Sequence, residues 1–217
     1  MTEPYFIAIE GNIGAGKTTL AKLLANALNA RLILEQFAEN PFLYEFYRNP
    51  ERWAFAVEMA FMAERYKQLH GIVDKIDLFQ PVLVSDYHPL KSKLFSSVNL
   101  DEREFYLFEK FFDTLFQKIR QPDLVIFLSA DIPTLLRNIN NRDRWFEKGI
   151  TPEYLQRISD GYSLFLKTLN VPVLILKRES FDFLRFEDHL IAIVHAIETR
   201  KIKGRLYVSA LEELENL

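Results

Sequence analysis

Short apolar runs alternate with longer amphipathic stretches along the chain. The short runs are bounded by Gly, Asn, Asp or Pro, and several are apolar throughout, which is typical of strands buried on both faces of a sheet. The sequence therefore predicts β-strands at residues 5–9, 31–34, 82–85, 124–128 and 173–176.

In the longer stretches, apolar residues recur every three or four positions, which indicates α-helices. Strands that alternate with helices predict an α/β fold, with a five-stranded parallel sheet covered by helices on both faces. No linker or internal repeat divides the sequence, so we expect residues 1–217 to form a single domain. The predicted helices span residues 18–29, 50–76, 101–120, 132–141, 152–169 and 183–199.

The segment GNIGAGKTT, residues 11–19, matches the pattern G-x-x-x-x-G-K-[ST] between a predicted strand and a predicted helix. In such a loop the glycines let successive backbone N–H groups point at phosphate oxygens, and the helix adds its positive N-terminal end. We expect Lys17 to reach the β- and γ-phosphates of ATP and the Thr18 hydroxyl to ligate Mg²⁺. The nucleotide-binding residues predicted here are Gly11, Asn12, Ile13, Gly14, Ala15, Gly16, Lys17, Thr18 and Thr19.

Two carboxylates follow predicted strands directly: Glu35 after residues 31–34 and Asp86 after residues 82–85. Ligands of open parallel sheets bind outside the carboxyl ends of the strands, so both side chains are expected to face the phosphate loop. One of the two would act as a general base and the other would help to hold the metal.

A third charged group lies in RDRWFEKG, residues 142–149. Arg142 and Arg144 stand there in a segment that we expect to form a lid over residues 142–150. Lid arginines can neutralise the charge of a transferring phosphoryl group and expel water as the lid closes. Phosphate loop, base and arginine-bearing lid together predict a P-loop kinase fold that phosphorylates a small acceptor.

Composition excludes several classes of protein. Of 217 residues, 49% are hydrophobic and 26% are charged, with a net charge of −3, so no basic surface for nucleic acid is expected. No apolar run approaches the roughly 20 residues that cross a membrane. There is no cysteine, and the four histidines lack metal-ligand spacing. These features, with an N-terminus that has no basic leader, predict a cytoplasmic protein that binds neither nucleic acid nor membrane.

The segments GNIGAGKTT, LEQFAENPFLYEFYRNPERWAF, LVSDY and RDRWFE, in this order, resemble the deoxynucleoside kinase family over nearly the whole chain. The bacterial members similar to deoxyadenosine and deoxyguanosine kinases are the ones it resembles. The resemblance implies a homodimer that uses Mg²⁺ and ATP to phosphorylate the 5′-hydroxyl of a deoxyribonucleoside in nucleotide salvage. It also implies that Glu35 takes the proton of that hydroxyl and that Asp86 contacts magnesium.

Further residues take their expected roles from the same resemblance. Tyr47 matches the tyrosine that binds the sugar 3′-hydroxyl, Glu147 matches its partner glutamate, and Phe95 stands about where an aromatic ring stacks on the base. The segment after the last predicted strand would contact the adenine of ATP through Arg178, Asp182 and Phe183.

The sequence departs from the family where an arginine normally follows the acidic residue, because Tyr87 stands there. Lys91 or an arginine of the lid is a candidate to replace that arginine. The alternative, that Lys91 is a solvated surface lysine, stays open.

A second departure places Glu58 where many members have a glutamine that pairs with the base. An ionised glutamate only accepts hydrogen bonds, which suits the adjacent N1–H and N2–H₂ donors of guanine and opposes adenine N1. We therefore expect a purine preference, with deoxyguanosine weakly favoured. Two other interpretations remain: Glu58 lies on a helix surface, or it pairs with Arg65. A raised pKa would restore a donor to Glu58 and blur the preference.

Two functional alternatives stay open on the sequence alone. A nucleoside monophosphate kinase of the thymidylate kinase type would share loop and lid, but residues 35–58 offer only Arg48 and Arg52 for an acceptor phosphate. A P-loop protein that binds nucleotide without turnover would have no use for a base. Protein kinases are excluded because neither H-R-D nor D-F-G occurs. The sequence from Gly204 onward predicts a short terminal helix.

Overall fold

Strands and helices alternate along the part of the chain that the computed structural model describes, residues 3–37, 40–71, 79–183 and 185–216. The strands are β1 (Tyr5–Gly11), β2 (Arg31–Ile33), β3 (Val82–Ser85), β4 (Leu124–Ser129), β5 (Val173–Lys177) and β6 (Arg205–Val208). The α-helices are α1 (Lys17–Ala27), α2 (Leu43–Arg48), α3 (Pro50–Leu69), α4 (Lys91–Asn99), α5 (Glu102–Phe116), α6 (Ile132–Arg142), α7 (Pro152–Thr168), α8 (Glu187–Glu198) and α9 (Leu211–Glu215), with a 3₁₀ turn at Trp145–Glu147.

The strands form one parallel sheet in the order β2-β3-β1-β4-β5-β6. The predicted α/β architecture is confirmed, and each of the five predicted strands is present. The predicted number of strands was wrong, because the sheet has six. The sixth strand, β6, lies at the sheet edge in the tail that the sequence predicts as helical, where the helix begins only at Leu211.

The helices follow the predicted pattern with shifted ends. Helix α3 ends at Leu69, whereas the pattern extends to residue 76; residues 72–76 of that prediction lie outside the described part of the chain. The prediction for residues 183–199 begins too early, since α8 starts at Glu187. Two short helices, α2 and α4, were not predicted, and both carry residues of the site described below.

Both faces of the sheet are covered. On one face, Ile7, Ile126 and Leu174 of the central strands pack with apolar residues of α1, α6 and α8. On the other, Val125 and Val173 pack with α4 and α7, while Phe6 and Leu83 pack with α3 and α5. Successive strand residues point to opposite faces, so continuous apolar strands are what this double burial requires. Among the described helices, none has the length and apolar character needed to cross a bilayer.

The register of the sheet places the functional residues at its carboxyl edge. Ile33 of β2 lies opposite Ser85 of β3, so Glu35 and Asp86, which follow these strands, become neighbours. The backbone N–H of Asp86 donates to the carbonyl of Ile33 at 3.2 Å. Beside them β1 ends at Gly11, opposite Leu128 of β4, where the phosphate loop begins.

Candidate active site

The loop between β1 and α1 has a backbone that requires glycine. Gly14 has φ 88°, and a Cβ atom there would lie 2.7 Å from the carbonyl oxygen of Leu135. Gly11 is equally constrained, since its Cβ would lie 2.7 Å from the carbonyl oxygen of Leu128. The amide of Asn138 also braces the loop by donating to the carbonyl of Gly14 at 2.9 Å. The loop is therefore held against β4 and α6, as a preformed phosphate cradle must be.

Lys17, the first residue of α1, folds back over this loop. Its Nζ donates to the carbonyl oxygens of Gly11 at 2.9 Å and Asn12 at 3.0 Å. Burial, and after it the nearby charge of Lys91, lower the pKa of Lys17 to about 7, against the opposing effect of Glu10, Glu35 and Asp86. An anion on the loop would favour the charged form, so this lysine suits a phosphate ligand.

Asp86 links the loop to the second strand end. Its Oδ2 accepts a 2.5 Å hydrogen bond from the Thr18 hydroxyl, and its Oδ1 accepts from the backbone N–H of Glu35 at 2.7 Å. Hard oxygen donors of this kind fit Mg²⁺, which is commonly held by one or two protein groups plus substrate phosphates. In the described ranges no cluster of three or more His, Cys, Asp or Glu side chains could form a metal cage. The Thr18 hydroxyl and the Asp86 carboxylate are oxygen donors of the kind that could hold Mg²⁺ together with phosphates.

Glu35 is buried between two cations. Its Oε1 accepts from Nε of Arg65 at 2.8 Å and also from Nη2 of the same guanidinium, and its Oε2 accepts from Nζ of Lys91 at 2.6 Å. Burial opposes ionisation of this carboxyl, but Lys91 and Arg65 outweigh it and lower its pKa to about 2. Glu35 is therefore a carboxylate at neutral pH, and both of its oxygens are engaged.

A cavity of about 330 Å³ runs from the phosphate loop toward α3. Most of the residues that the sequence singles out meet there. Those that line it are Ile13, Gly14, Gly16, Lys17, Thr18, Thr19, Glu35, Tyr47, Glu58, Phe95, Arg142, Arg144 and Glu147. Asp86 lies behind this wall, bonded to Thr18.

Glu58 is 2% exposed, so it does not lie on a helix surface. Its Oε1 accepts from Nδ2 of Asn99 at 2.6 Å, while its Oε2 is buried and has no hydrogen-bond partner among the described residues. Arg65 is not bonded to it, because that guanidinium bonds Glu35 and Ser92. Burial raises the pKa of Glu58 to about 7, against the lowering effect of Arg65 and Asn99. A buried, unpaired carboxyl oxygen in a cavity wall is a position for a ligand donor.

The charged residues of the lid form ion pairs with one another. Glu147 accepts from Nε and Nη2 of Arg142, each at 2.6 Å, and lies 3.5 Å from Nη1 of Arg144. Tyr47 of α2 is a neighbour, since burial raises its pKa well above the usual value and the charge of Glu147 adds to the shift. The lid also packs closely on α2, because a Cβ atom on Gly149 would lie 2.9 Å from the carbonyl oxygen of Tyr47.

Aromatic rings line the cavity beyond Glu35. Phe95, on α4, lies 5.4 Å from Nζ of Lys91, and Phe37 lies 5.8 Å from the same atom on another side. Phe37 also meets the edge of Phe61 on α3, with ring centroids 6.3 Å apart. These apolar surfaces suit a flat heterocycle, which stacks on or between aromatic rings.

Arg178, Asp182 and Phe183 follow β5 and do not line this cavity. The Arg178 guanidinium stacks over the Phe183 ring at 4.7 Å and donates to the carbonyl of Phe181 at 2.6 Å. A Cβ atom on Gly16 would lie 3.5 Å from Nε of Arg178, so this group borders the phosphate loop from outside. Asp182 accepts from the backbone N–H of Arg185 at 3.2 Å within the same turn.

Sequence reasoning did not assign Arg65, Asn99 or Glu10 to the site. Arg65 follows Glu58 by two helical turns, a spacing that places both on one face of α3 and could have marked it as facing the cavity. Asn99 carried no such signal, because α4 was not predicted. Glu10 is fully buried and accepts from the Tyr162 hydroxyl at 2.6 Å, which makes it a brace beneath the loop.

Comparison with known proteins agrees with this geometry. The family model described as deoxynucleoside kinase matches residues 7–202. The chain is 38% identical to a deoxyguanosine kinase of Bacillus subtilis (strain 168), over 82% of this chain and 88% of the relative. It is 32% identical to a deoxyadenosine kinase of Dictyostelium discoideum, over 81% of this chain and 73% of the relative.

Solved structures show the same fold. The deoxyadenosine kinase of M. mycoides with bound dCTP superposes with a TM-score of 0.76 at 23% identity, over 89% of this chain and 99% of that one. Its structure with bound dATP gives a TM-score of 0.77, also at 23% identity, over 89% and 99% of the two chains. The family match extends through both the phosphate loop and the cavity. The chain belongs to the deoxynucleoside kinase family.

Proposed function

We propose that this protein transfers the γ-phosphoryl group of ATP to the 5′-hydroxyl of a purine deoxyribonucleoside, with deoxyguanosine favoured. One observation carries the proposal: a single cavity is lined by the phosphate loop, by Glu35 and by Glu58, whose buried Oε2 has no hydrogen-bond partner among the described residues. Relatives named deoxyguanosine kinase and deoxyadenosine kinase support a purine nucleoside as the acceptor. Family membership favours this function over a monophosphate kinase or a nucleotide-binding protein without turnover.

Glu35 is the proposed general base. The 5′-oxygen forms a bond to the γ-phosphorus, the bond from that phosphorus to the β–γ bridging oxygen breaks, and ADP leaves with the electron pair. The hydroxyl proton passes to Glu35, which is ionised at neutral pH because its pKa is about 2. A base with so low a pKa attracts the proton weakly, so its main task is to orient the hydroxyl and accept the proton late.

Cations of the loop and of the lid would neutralise the negative charge of the phosphates. Lys17 would bind the β- and γ-phosphates, and Arg142 and Arg144 would exchange part of their pairing with Glu147 for the phosphoryl oxygens. Thr18 and Asp86 would hold Mg²⁺, which neutralises phosphate charge when bound. Arg178 and Phe183 border Gly16, and together with Asp182 they would contact the adenine of ATP.

The nucleoside would lie along the rest of the cavity. Tyr47 and Glu147, which lie close enough for Glu147 to raise the pKa of Tyr47, would bind the 3′-hydroxyl. Phe95 would stack on the base. Ionised Glu58 would accept from guanine N1–H and N2–H₂ through Oε2 and the oxygen that Asn99 holds.

The homodimer expected from the resemblance is also part of the proposal. Helices α5 and α7 present large exposed apolar side chains that a second copy could cover. These are Tyr106, Leu107, Phe111 and Leu164, which are 63%, 47%, 46% and 66% exposed. Molar mass measured by light scattering distinguishes a dimer from the 25.5 kDa monomer.

A panel assay tests the proposed function. Purified protein is incubated with ATP, Mg²⁺ and each deoxyribonucleoside or thymidine monophosphate in turn, and ADP and the phosphorylated product are measured. We expect deoxyguanosine to give the highest kcat/KM, with deoxyadenosine next. A clear preference for a pyrimidine nucleoside would end the purine assignment, and phosphorylation of thymidine monophosphate alone would favour the monophosphate kinase.

A further inference from the structure

The cavity holds three buried cations next to the phosphate loop. Lys17, Arg65 and Lys91 are 8%, 3% and 3% exposed. Three buried carboxylates, Glu10, Glu35 and Asp86, lie beside them; Glu10 accepts from the Tyr162 hydroxyl, and Asp86 accepts from Thr18 and from the backbone of Glu35. The cations repel one another, since the charge of Lys91 lowers the pKa of Lys17 after the larger effect of burial. Among the described residues, Nζ of Lys17 bonds two carbonyl oxygens and no carboxylate, so an anion on the loop would be stabilised by its charge.

Arg65 and Lys91 hold Glu35 in different ways. Arg65 is fixed at several atoms, because Nε and Nη2 bond Glu35 Oε1 and Nη1 donates to Ser92 at 2.7 Å. Lys91 reaches Oε2 through Nζ alone at 2.6 Å, and this Nζ, at the end of a flexible stem, lies 5.8 Å and 5.4 Å from the ring centroids of Phe37 and Phe95. An ammonium group on four methylenes can change partners without movement of the backbone, whereas a forked guanidinium with three bonds cannot do so easily.

The bond to Lys91 occupies the oxygen that a substrate hydroxyl needs. Oε1 of Glu35 already accepts two bonds from Arg65, so Oε2, which accepts the bond from Lys91, is the oxygen left for a 5′-hydroxyl, and departure of Lys91 makes Oε2 a stronger acceptor. A triphosphate on the loop would lie close to Lys91, because Lys17 and Lys91 line the same cavity. Several phosphate charges attract an ammonium group more strongly than one carboxylate that Arg65 already neutralises.

We propose that Lys91 is a movable catalytic cation, which leaves Oε2 of Glu35 for the phosphates of bound ATP and so frees the base for the nucleoside 5′-hydroxyl. This inference rests on the proposed function. Its consequence is a coupling between the two substrates: the nucleoside forms a stronger bond to Glu35 when ATP is present. In the transfer step Lys91 then neutralises charge on the γ-phosphoryl group, while the proton goes to Glu35 as described above.

The coupling is measurable as a ratio of affinities. The dissociation constant of deoxyguanosine is determined with and without a non-hydrolysable ATP analogue, adenylyl imidodiphosphate with Mg²⁺. In the unmodified protein we expect the analogue to tighten deoxyguanosine binding about tenfold, the effect of one hydrogen bond to a charged group. In Lys91→Met the base is always free, so the analogue should leave the affinity nearly unchanged, and kcat should fall about 10²-fold or more.

Two further variants separate this role from a structural one. Lys91→Arg retains the positive charge but has a forked guanidinium that changes partners less easily, so it should recover part of kcat and keep only part of the coupling. Lys93→Met on the same helix removes a lysine that pairs with Glu109 and Asp113 on the surface, and it should behave like the unmodified protein. Full coupling in Lys91→Met, or no coupling in the unmodified protein, would overturn the proposal.

The complex of the unmodified protein with the analogue and deoxyguanosine decides the matter if Lys91→Met does not fold. A crystal structure should show Nζ of Lys91 on a phosphate oxygen and the 5′-hydroxyl on Glu35 Oε2. Nζ still bonded to Glu35 in that complex would contradict the proposal. Failure of the proposed function is a separate result, since the unmodified protein would then phosphorylate no deoxynucleoside in the panel.

Discussion

At the residue scale, the role of Glu35 as the proposed general base can be tested by a single substitution. Glutamine at this position has nearly the same shape but cannot take a proton, so Glu35→Gln should lower kcat about 10²-fold or more. Binding of the ATP analogue should persist, because Lys17 and the loop are unchanged. The measurement is kcat with the best nucleoside of the panel, together with the dissociation constant of the analogue.

Interpretation of Glu35→Gln requires a precaution about stability and a control variant. Glutamine leaves Arg65 and Lys91 without a buried counter-charge, which will also lower stability, by about 3 kcal/mol or more. Kinetics should therefore be recorded well below the unfolding temperature of the variant. Glu102→Gln, at an exposed position of α5, makes the same chemical change away from the cavity and should leave kcat unaltered. An unchanged rate in Glu35→Gln would remove this residue from the mechanism.

Glu58 predicts a base preference that depends on pH. Its pKa of about 7 means that a neutral carboxyl dominates below this pH and a carboxylate above it. The neutral form can donate to adenine N1, whereas the carboxylate accepts from guanine N1–H and N2–H₂. The ratio of kcat/KM for deoxyguanosine over deoxyadenosine should therefore rise from about pH 6 to about pH 8. Taking the ratio cancels titration of Lys17 and other shared groups, since they act on both nucleosides.

Glu58→Gln is the matched control for this pH dependence. The amide offers a donor and an acceptor at every pH, so the ratio should become independent of pH. It should also move toward deoxyadenosine by about tenfold, the value of one well-formed hydrogen bond. A ratio that is flat in the unmodified protein would refute the assigned role of Glu58.

The sequence located single residues well where a general rule placed them. The phosphate-loop pattern and the position of carboxylates after parallel strands were enough to predict that Lys17, Thr18, Glu35 and Asp86 come together. The partner of Arg65 was not predictable in this way. Helical spacing placed it near Glu58, but its bonds to Glu35 depend on how α3 packs over β2, thirty positions away in sequence.

At the element scale, the loop between β1 and α1 is expected to be intolerant of any side chain at Gly14. Alanine there would place Cβ 2.7 Å from the backbone oxygen of Leu135, and φ is 88°. We expect Gly14→Ala to lower the free energy of unfolding by about 1–3 kcal/mol and to weaken ATP binding. Thermal unfolding and titration with the ATP analogue measure both effects.

Gly204→Ala is the control for Gly14→Ala. It separates the cost of positive φ from the cost of the steric clash with Leu135. Gly204 also has positive φ, 62°, but a Cβ atom there would have no neighbour within 4 Å. This variant should lose only about 1 kcal/mol and keep full ATP affinity. Equal losses of stability and affinity in both variants would show that the contact with α6 is unimportant.

Strands with buried side chains were easier to predict from the sequence than the exposed edge strand. The five predicted strands carry mainly buried side chains and read as apolar runs. β6 pairs only with β5, and three of its four residues are partly or fully exposed, so RLYV gave too weak a signal beside the helical pattern that follows. Helices α2 and α4 span only 6 and 9 residues, too few for a periodic pattern to stand out. The misses matter for function because α4 carries Lys91, Phe95 and Asn99.

At the scale of the whole molecule, the distribution of charge matters more than its sum. The net charge is −3, yet Lys17, Arg65, Lys91, Arg142 and Arg144 all line one cavity. Such a concentration focuses an attractive potential for a triphosphate on a molecule that otherwise repels polyanions. The negative net charge is therefore consistent with the prediction of no nucleic-acid binding, and the local cluster of cations is consistent with the nucleotide binding that the loop motif predicts.

Binding of ATP should therefore stabilise the entire fold through this cavity. A ligand at 100 times its dissociation constant adds about 2.7 kcal/mol to the free energy of unfolding, which for a domain of this size raises Tm by about 5–11 °C. Lys17→Ala should abolish most of the shift, because it removes the cation on the loop. Lys67→Ala, at a largely exposed position of α3, should preserve it. The check is a thermal unfolding series over ATP concentration with Mg²⁺, and a full shift in Lys17→Ala would mean that ATP stabilises the protein from a different site.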